Sequence, residues 1–290
     1  MGEIQTLATH MLNGLAYGLL LFILAAGLSL IFGMMDVINL SHGSFYLVGG
    51  FLGVGLVDDL GSWWLALAVT VGIVAVLGLI AEISLLRPMY NRDHLDQILL
   101  TFGLALIIED ASEWIFGTTI QSMSYPSAFS QSVEFLGVVI PSYRLLVIFV
   151  GLVLAVALYL LLERTRVGSI IRAGVSDREM VSALGFNITA IFGGVFVGGL
   201  ALAGLAGFIG TPILGVYSGL DFEILILTLI IVVVGGLGSL TGAFWASLLI
   251  GITQILGQAY FPSIAALIIY IVMAIVLLVR PQGLFQRRYA

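Results

Sequence analysis

The chain of 290 residues has no cysteine, which excludes disulfides, thiolate metal sites and cysteine nucleophiles. Lysine is missing too: all ten basic residues are arginine. A phosphate-cradling P-loop sets a lysine against the β- and γ-phosphates, so any work driven by ATP must draw on another subunit. Charge of either sign is scarce. Only 9% of residues are charged and 61% are apolar, where an ordinary globular chain is about 25% charged. A globule this size needs a polar skin that such a composition cannot supply, and a mean hydropathy of +1.20 places most of the surface in lipid. The net charge of −6 removes the basic face that nucleic acid requires. The first residues, Met1-Gly2-Glu3-Ile4-Gln5-Thr6, lack a basic stretch, so a cleaved signal peptide is not expected.

What remains is a set of apolar runs near or above the roughly 18 to 20 residues that cross a bilayer. The polar gaps predict spans near residues 7–33, 43–57, 63–85, 98–116, 144–162, 188–210, 224–235, 241–258 and 264–279. The expected fold is an all-α polytopic membrane protein, a single transmembrane domain over residues 1–290. About 8 to 10 crossings fit, with one or two broken or re-entrant, because residues 224–235 cover only about 18 Å as a helix against a core of about 30 Å.

Arg87 and Arg92 share one gap, Arg164, Arg166, Arg172 and Arg178 another, and Arg280, Arg287 and Arg288 follow the last span. The intervening gaps are acidic or neutral, with only Arg144 apart at the edge of one. Cytoplasmic loops carry the excess of arginine. Residues 163–187 and the C-terminus are therefore expected on the cytoplasmic side and residues 117–143 outside, with the N-terminus outside if all these spans cross. Within 117–143, Val133 to Pro141 predicts a hairpin with Gly137 at its turn.

Glycine is abundant, at 36 residues. Gly14-Gly18, Gly49-Gly53, Gly194-Gly198, Gly238-Gly242 and Ala203-Gly207 have the spacing that lets membrane helices approach closely. Two stretches read as helix interruptions. The first, residues 33–43, sets Asp36, Asn39, Ser41, His42 and Gly43 between apolar runs, and the second is Gly235-Gly236-Leu237-Gly238-Ser239. Similar restarts follow, His42-Gly43-Ser44-Phe45-Tyr46 and Thr241-Gly242-Ala243-Phe244-Trp245, as in transporters built from repeats with paired broken helices. Polar groups at membrane depth are costly and point to function. The competing reading is that they tie down loose backbone ends. His10, His42 and His94 are isolated, so no metal site is expected.

In the 163–187 loop, Ser176-Asp177-Arg178-Glu179 has capping-box spacing. Met180, Val181 and Leu184 would follow on one face, Gly185 would provide a left-handed stop, and Asn187 would cap the next helix. This short helix either lies on the headgroups or docks into a cytosolic partner. Glu109, Asp110 and Glu113 form either a proton relay or a solvated vestibule, and Glu82 lies one turn from Arg87, within reach of an ion pair. No nucleophile–base constellation of an intramembrane enzyme is present.

Several of these pieces, in order, carry a resemblance over nearly the whole chain. They are Ile31-Phe32-Gly33, Asn39-Leu40-Ser41-His42-Gly43, Arg87-Pro88, Thr165-Arg166-Val167-Gly168 with Arg172-Ala173 and Glu179 to Asn187, Gly235 to Ser239, and Arg280-Pro281-Gln282-Gly283-Leu284-Phe285. The chain resembles the permease subunits of branched-chain amino acid ABC importers, on the LivH side of the LivH/LivM pair. The resemblance implies residence in a prokaryotic inner membrane. It also implies a second, LivM-type permease, two cytosolic ABC ATPases that hold ATP-Mg, and an extracytoplasmic substrate-binding protein, with no cofactor on this chain. It makes Arg172, Ser176, Asp177, Glu179, Leu184 and Gly185 the coupling residues. Glu179 and Gly185 keep the Glu-to-Gly spacing of the importer loop motif, although Met180 and Val181 replace its alanines. It also places the translocation path near Asn39, Ser41, His42 and Gly43 and near Gly235, Gly236, Gly238 and Ser239. The alternatives are a urea or short-chain amide importer of the same architecture and a proton-coupled carrier.

Overall fold

A computed structural model describes residues 2–90, 92–135 and 138–285. The elements in order are α1 (Gly2–Met35), α2 (His42–Leu60), α3 (Trp63–Ala81, prolonged by a π-turn at Glu82–Leu86 and a 3-10 turn at Arg87–Met89), α4 (His94–Phe116), a hairpin of β1 (Ser132–Phe135) and β2 (Val138–Pro141), α5 (Ser142–Arg164), α6 (Arg166–Ser176), α7 (Arg178–Ala183), α8 (Ile188–Leu214), α9 (Leu220–Gly235), α10 (Leu240–Tyr260) and α11 (Ala265–Val279). Among the described residues, seven helices are long and apolar enough to cross a membrane: α1, α2, α3 with its extension, α5, α8, α10, and α11 together with the 3-10 turn at Pro262–Ile264 that precedes it. Helix α4 has the length but carries Asp96, Glu109, Asp110 and Glu113. Helix α9, at 16 residues, reaches only about 24 Å. The chain is thus an all-α polytopic membrane protein with interrupted helices. The antiparallel hairpin pairs Val133 with Ile140 and Glu134 with Val139, and Gly137, expected at its turn, lies outside the described residues.

Helix α1 is the axis. Its middle, from Leu19 to Ala26, is fully buried. Lipid gives helices no reason to hide apolar surface from one another, so they hold together by approaching closely enough for backbone to touch backbone. Helix α10 runs antiparallel along α1. A Cβ added at Gly18 would lie 2.8 Å from the Ser247 carbonyl, and one at Gly33 would lie 2.5 Å from the Gly238 Cα. Between them the rings of Phe22 and Phe244 meet edge to face at 5.3 Å. Helix α8 crosses α1 at Gly27 and Gly199, and α2 lies on α8 where Gly49 meets the backbone of Gly204. Four of the five predicted small-residue pairs therefore sit at helix contacts. Gly194-Gly198 does not: both are exposed on α8, and an added Cβ would meet nothing within 4 Å.

The chain between α1 and α2 folds back into the protein. The His42 ring lies against the Leu24 carbonyl at 3.0 Å, eleven residues before the end of α1, a rise of about 16 Å. Helix α2 thus begins deep within the bilayer. The second restart differs, since α10 begins beside Gly33, near the end of α1. The two restarts share sequence features but stand at unequal depths.

These contacts set a test. Gly49→Leu is expected to cost about 3 kcal/mol by overpacking and to lower the melting temperature in detergent by several degrees. Gly194→Leu, which meets open space, should melt with the wild type.

Candidate functional site: two helix breaks and a capped surface loop

At the first break the backbone is tied down by side chains. Asn39 Oδ1 accepts from the Ser41 amide at 3.1 Å and from the Ser41 hydroxyl at 2.7 Å. The Leu40 amide donates to the Thr101 hydroxyl on α4 at 3.1 Å, and that hydroxyl donates to the Ile38 carbonyl at 3.3 Å. His42 Nε2 donates to the Leu24 carbonyl, which fixes its tautomer and makes Nδ1 an acceptor. Asn39, Ser41 and His42 are fully buried. The tie-down reading therefore holds, but it is incomplete, because Asn39 Nδ2 and His42 Nδ1 remain without partners. Asp36, with φ +56, turns the chain out of α1, and its carboxylate lies 3.5 Å from the exposed His94 ring.

The second break is made of backbone. Gly236 and Gly238 have φ of +102 and +74, in the left-handed region that favours glycine. Gly235 packs against the Gly242 backbone, and the Ser239 hydroxyl caps α10 by accepting from the Gly242 amide at 3.0 Å. The last carbonyls of α9 are satisfied from far along the chain, where Leu284 and Phe285 donate to Val234 and Gly235 at 2.8 and 3.1 Å. The stretches at 235–239 and 280–285 are thus partners in space.

The 163–187 loop contains two helices where one was expected. The amphipathic α6 (Arg166–Ser176) was not anticipated; Thr165 caps it by accepting from the Gly168 amide at 3.1 Å. Ser176 ends this helix, its hydroxyl turned back to the Arg172 carbonyl at 3.3 Å, so the predicted Ser176–Glu179 capping box does not form. Asp177 is the cap of α7, accepting from the Met180 amide at 2.8 Å, while Glu179 stays exposed. Val181 turns inward at 4% exposure, whereas Met180 and Leu184 turn outward at 58% and 68%. Gly185 takes the left-handed stop at φ +88, and Asn187 caps α8 through Ala190 at 3.0 Å. The result is a capped tip with Met180, Leu184 and Phe186 on its outside.

Two arginines join this loop to the breaks. Arg172, whose guanidinium is 3.7 Å from Glu163, lines a cavity of about 300 Å³ together with Gly33, Gly238, Ser239 and Tyr159. Arg178, the first residue of α7, donates to the Met35 carbonyl at 3.1 Å and stacks over the Phe192 ring at 4.8 Å. The Asn39–Gly43 segment lies deeper and does not line this cavity. Close by, Glu82 is fully buried and accepts from Arg87 at 3.2 and 2.8 Å and from the Tyr90 hydroxyl at 2.7 Å, the ion pair the spacing suggested. Burial and then the bond to Glu82 push the Tyr90 hydroxyl well above its ordinary range, so it remains a donor.

At the opposite end lie Glu109, Asp110 and Glu113, read from the sequence as either a proton relay or a solvated vestibule. Asp110 is exposed, and Glu109 accepts from Ser218 at 3.4 Å. Sequence reading placed Asp221 in a polar gap between spans. The structure buries it at 1% exposure in the first turn of α9, where it accepts from the Ser44 hydroxyl at 2.9 Å.

A family profile described as "Branched-chain amino acid transport system / permease component" matches residues 10–278. The chain belongs to this family. It is 26% identical over 303 residues to the "High-affinity branched-chain amino acid transport system permease protein BraD" of Pseudomonas aeruginosa, covering 99% of this chain and 98% of that protein. It is 28% identical over 293 residues to the "Probable branched-chain amino acid transport permease protein LivH" of Methanocaldococcus jannaschii, covering 94% and 90%. A solved structure, "PsaBC from Streptococcus pneumoniae in complex with Fab", aligns with a TM-score of 0.49 at 15% identity, over 92% of this chain and 89% of that one.

Arg178 fastens α7 to the carbonyl at which α1 ends. A hydrogen bond from a charged donor contributes about 1.5 kcal/mol or more. Arg178→Ala is therefore expected to speed amide exchange over residues 36–41 roughly tenfold, read by hydrogen-exchange mass spectrometry, with the rest of α1 unchanged.

Proposed function

We propose that this chain is the LivH-type permease subunit of an ATP-driven importer of branched-chain amino acids in a prokaryotic inner membrane. It pairs with a LivM-type permease, two cytosolic ATPases that hold ATP-Mg, and an extracytoplasmic binding protein that delivers the cargo. The observation that carries this reading is the capped tip at 177–187, which presents Met180, Leu184 and Phe186 outward and is anchored through Arg178 to the end of α1. A helix that merely rested on headgroups would have no need of that anchor. The names of its relatives favour branched-chain amino acids over urea or short amides, and favour an ABC system over a proton-coupled carrier.

In the mechanism, ATP binding on the partner subunits draws the tips of the two permeases together. Arg178 and Arg172 pass that displacement to the end of α1 and to the Gly238–Ser239 turn, and access switches between the faces. The coupling role belongs to Arg172, Ser176, Asp177, Glu179, Leu184 and Gly185. Asn39, Ser41, His42, Gly43, Gly235, Gly236, Gly238 and Ser239 border the path. A nucleotide bound elsewhere can drive this change only by favouring one arrangement of the permeases over the other.

Leu184→Asp places a charge in the docking contact and should abolish ATP-driven uptake while the protein remains in the membrane; undiminished uptake would refute the coupling role. Cysteine introduced at Ser182 should react with a membrane-impermeant maleimide only from the cytosol, and cysteine at Ser130 only from outside. The reverse pattern would invert the topology.

A further inference from the structure

Asp221 is an acid with no counter-ion among the described residues. It sits at the start of α9, beside the start of α2, where a Cβ on Gly43 would run into the Asp221 carbonyl. Because α2 begins opposite Leu24, about 16 Å along α1 from its end, this carboxylate lies well inside the length of a helix that crosses a core about 30 Å thick. One oxygen is engaged by Ser44 at 2.9 Å, and Oδ1 is buried with no partner. The ion pairs among the described residues are Arg87–Glu82, His94–Asp36 and Arg172–Glu163, none of them involving Asp221. Glu109 and Glu223, both tied to the 215–219 turn through Ser218 and Tyr217, add negative charge on the approach from the hairpin end. The amino end of α9 and the Ser44 hydroxyl offset part of the cost of burying this carboxylate, but no cation among the described residues pairs with it, and such a residue inside a membrane is functional by default.

The neighbouring segment offers the opposite polarity. Asn39 Nδ2 is a fully buried donor with no partner. It lies immediately before α2, whose first amides have no acceptor within the helix and whose dipole is positive at this end. Gly43 keeps the backbone there free of side-chain bulk. An acceptor lacking a donor and a donor lacking an acceptor, grouped at the first turn of one helix, complement a head group that bears both charges.

We propose that Asp221 receives the α-ammonium group of the cargo in mid-membrane, with Asn39 Nδ2 and the amino end of α2 taking its α-carboxylate. This rests on the amino acid importer reading and adds to it a recognition point within the permease, separate from the binding protein. The structure is the closed form of the site, with Gly43 packed on Asp221. Cargo enters when α2 and α9 part, the ammonium donates to Oδ1, and the Ser44 bond holds the other oxygen in place. A zwitterion brings no net charge, so pairing both of its ends leaves no uncompensated charge at this site.

The test uses proteoliposomes holding the chain with all its partner subunits and L-leucine as the probe. Asp221→Asn keeps the size of the side chain and an acceptor for Ser44. It should lower leucine uptake at least tenfold while the assembly melts at the wild-type temperature or above. Asp221→Glu, which retains the charge, should transport better than the Asn variant. Uptake by Asp221→Asn within twofold of wild type would remove Asp221 from the path, and a fall of several degrees in its melting temperature would make it a scaffold residue; either result overturns the proposal. Exchanging sodium for choline should leave wild-type uptake unchanged, and a loss would reassign the carboxylate to a metal cation. Wild-type assemblies that take up no amino acid at all would sink the importer reading itself, a result distinct from any effect of the variants.

Discussion

A helix that stops inside lipid leaves amides and carbonyls with no water to bond them, and every break in this protein is built around that constraint. At 36–41 the solution is side chains: Asn39, Ser41 and Thr101 supply the missing partners. At 235–239 it is glycine geometry, a serine cap, and amides lent by residues 284 and 285. The two solutions differ in what they leave over. At the backbone-built break no buried side-chain atom is left without a partner, whereas the side-chain-built one leaves Asn39 Nδ2 and His42 Nδ1 unpaired.

Close helix contact makes these interruptions tolerable. Helices α1, α8 and α10 touch backbone to backbone at Gly18, Gly27 and Gly33, so the frame holding the loose ends is stiff. The 177–187 tip is tied to this frame at its first turn, where Asp177 caps α7 and Arg178 donates to the Met35 carbonyl.

Much of this was legible in the sequence. Hydropathy located the helices, and the polar interruptions marked both breaks because no other reason places Asp, Asn, Ser and His together between apolar runs. Gly185 and Asn187 announced their roles through local chemistry that needs no tertiary context. The cap at Asp177 rather than Ser176 was missed because both residues can cap, and only the extent of α6 decides between them. Helix α6 was missed in turn because Arg166 and Arg172 made its stretch read as loop. The Gly194-Gly198 pair shows the limit of spacing arguments: the pattern says that close approach is possible, while the rotation of α8 decides whether a neighbour is there. Asp221 was hidden for a related reason. In sequence it borders a polar gap with Glu223 and resembles a solvated residue, and only the fold-back that brings α2 to meet α9 encloses it.

The bonds from Leu284 and Phe285 to the end of α9 also constrain biogenesis. Helices α10 and α11 separate donor from acceptor in the chain, so α9 enters the bilayer with two carbonyls still open. They stay open until both later helices have been inserted and the segment after them has returned to this side. The second break is therefore among the last parts of the molecule to close, and a chain stalled after α9 exposes an unsealed helix end, the kind of defect that quality-control proteases in the membrane can recognise.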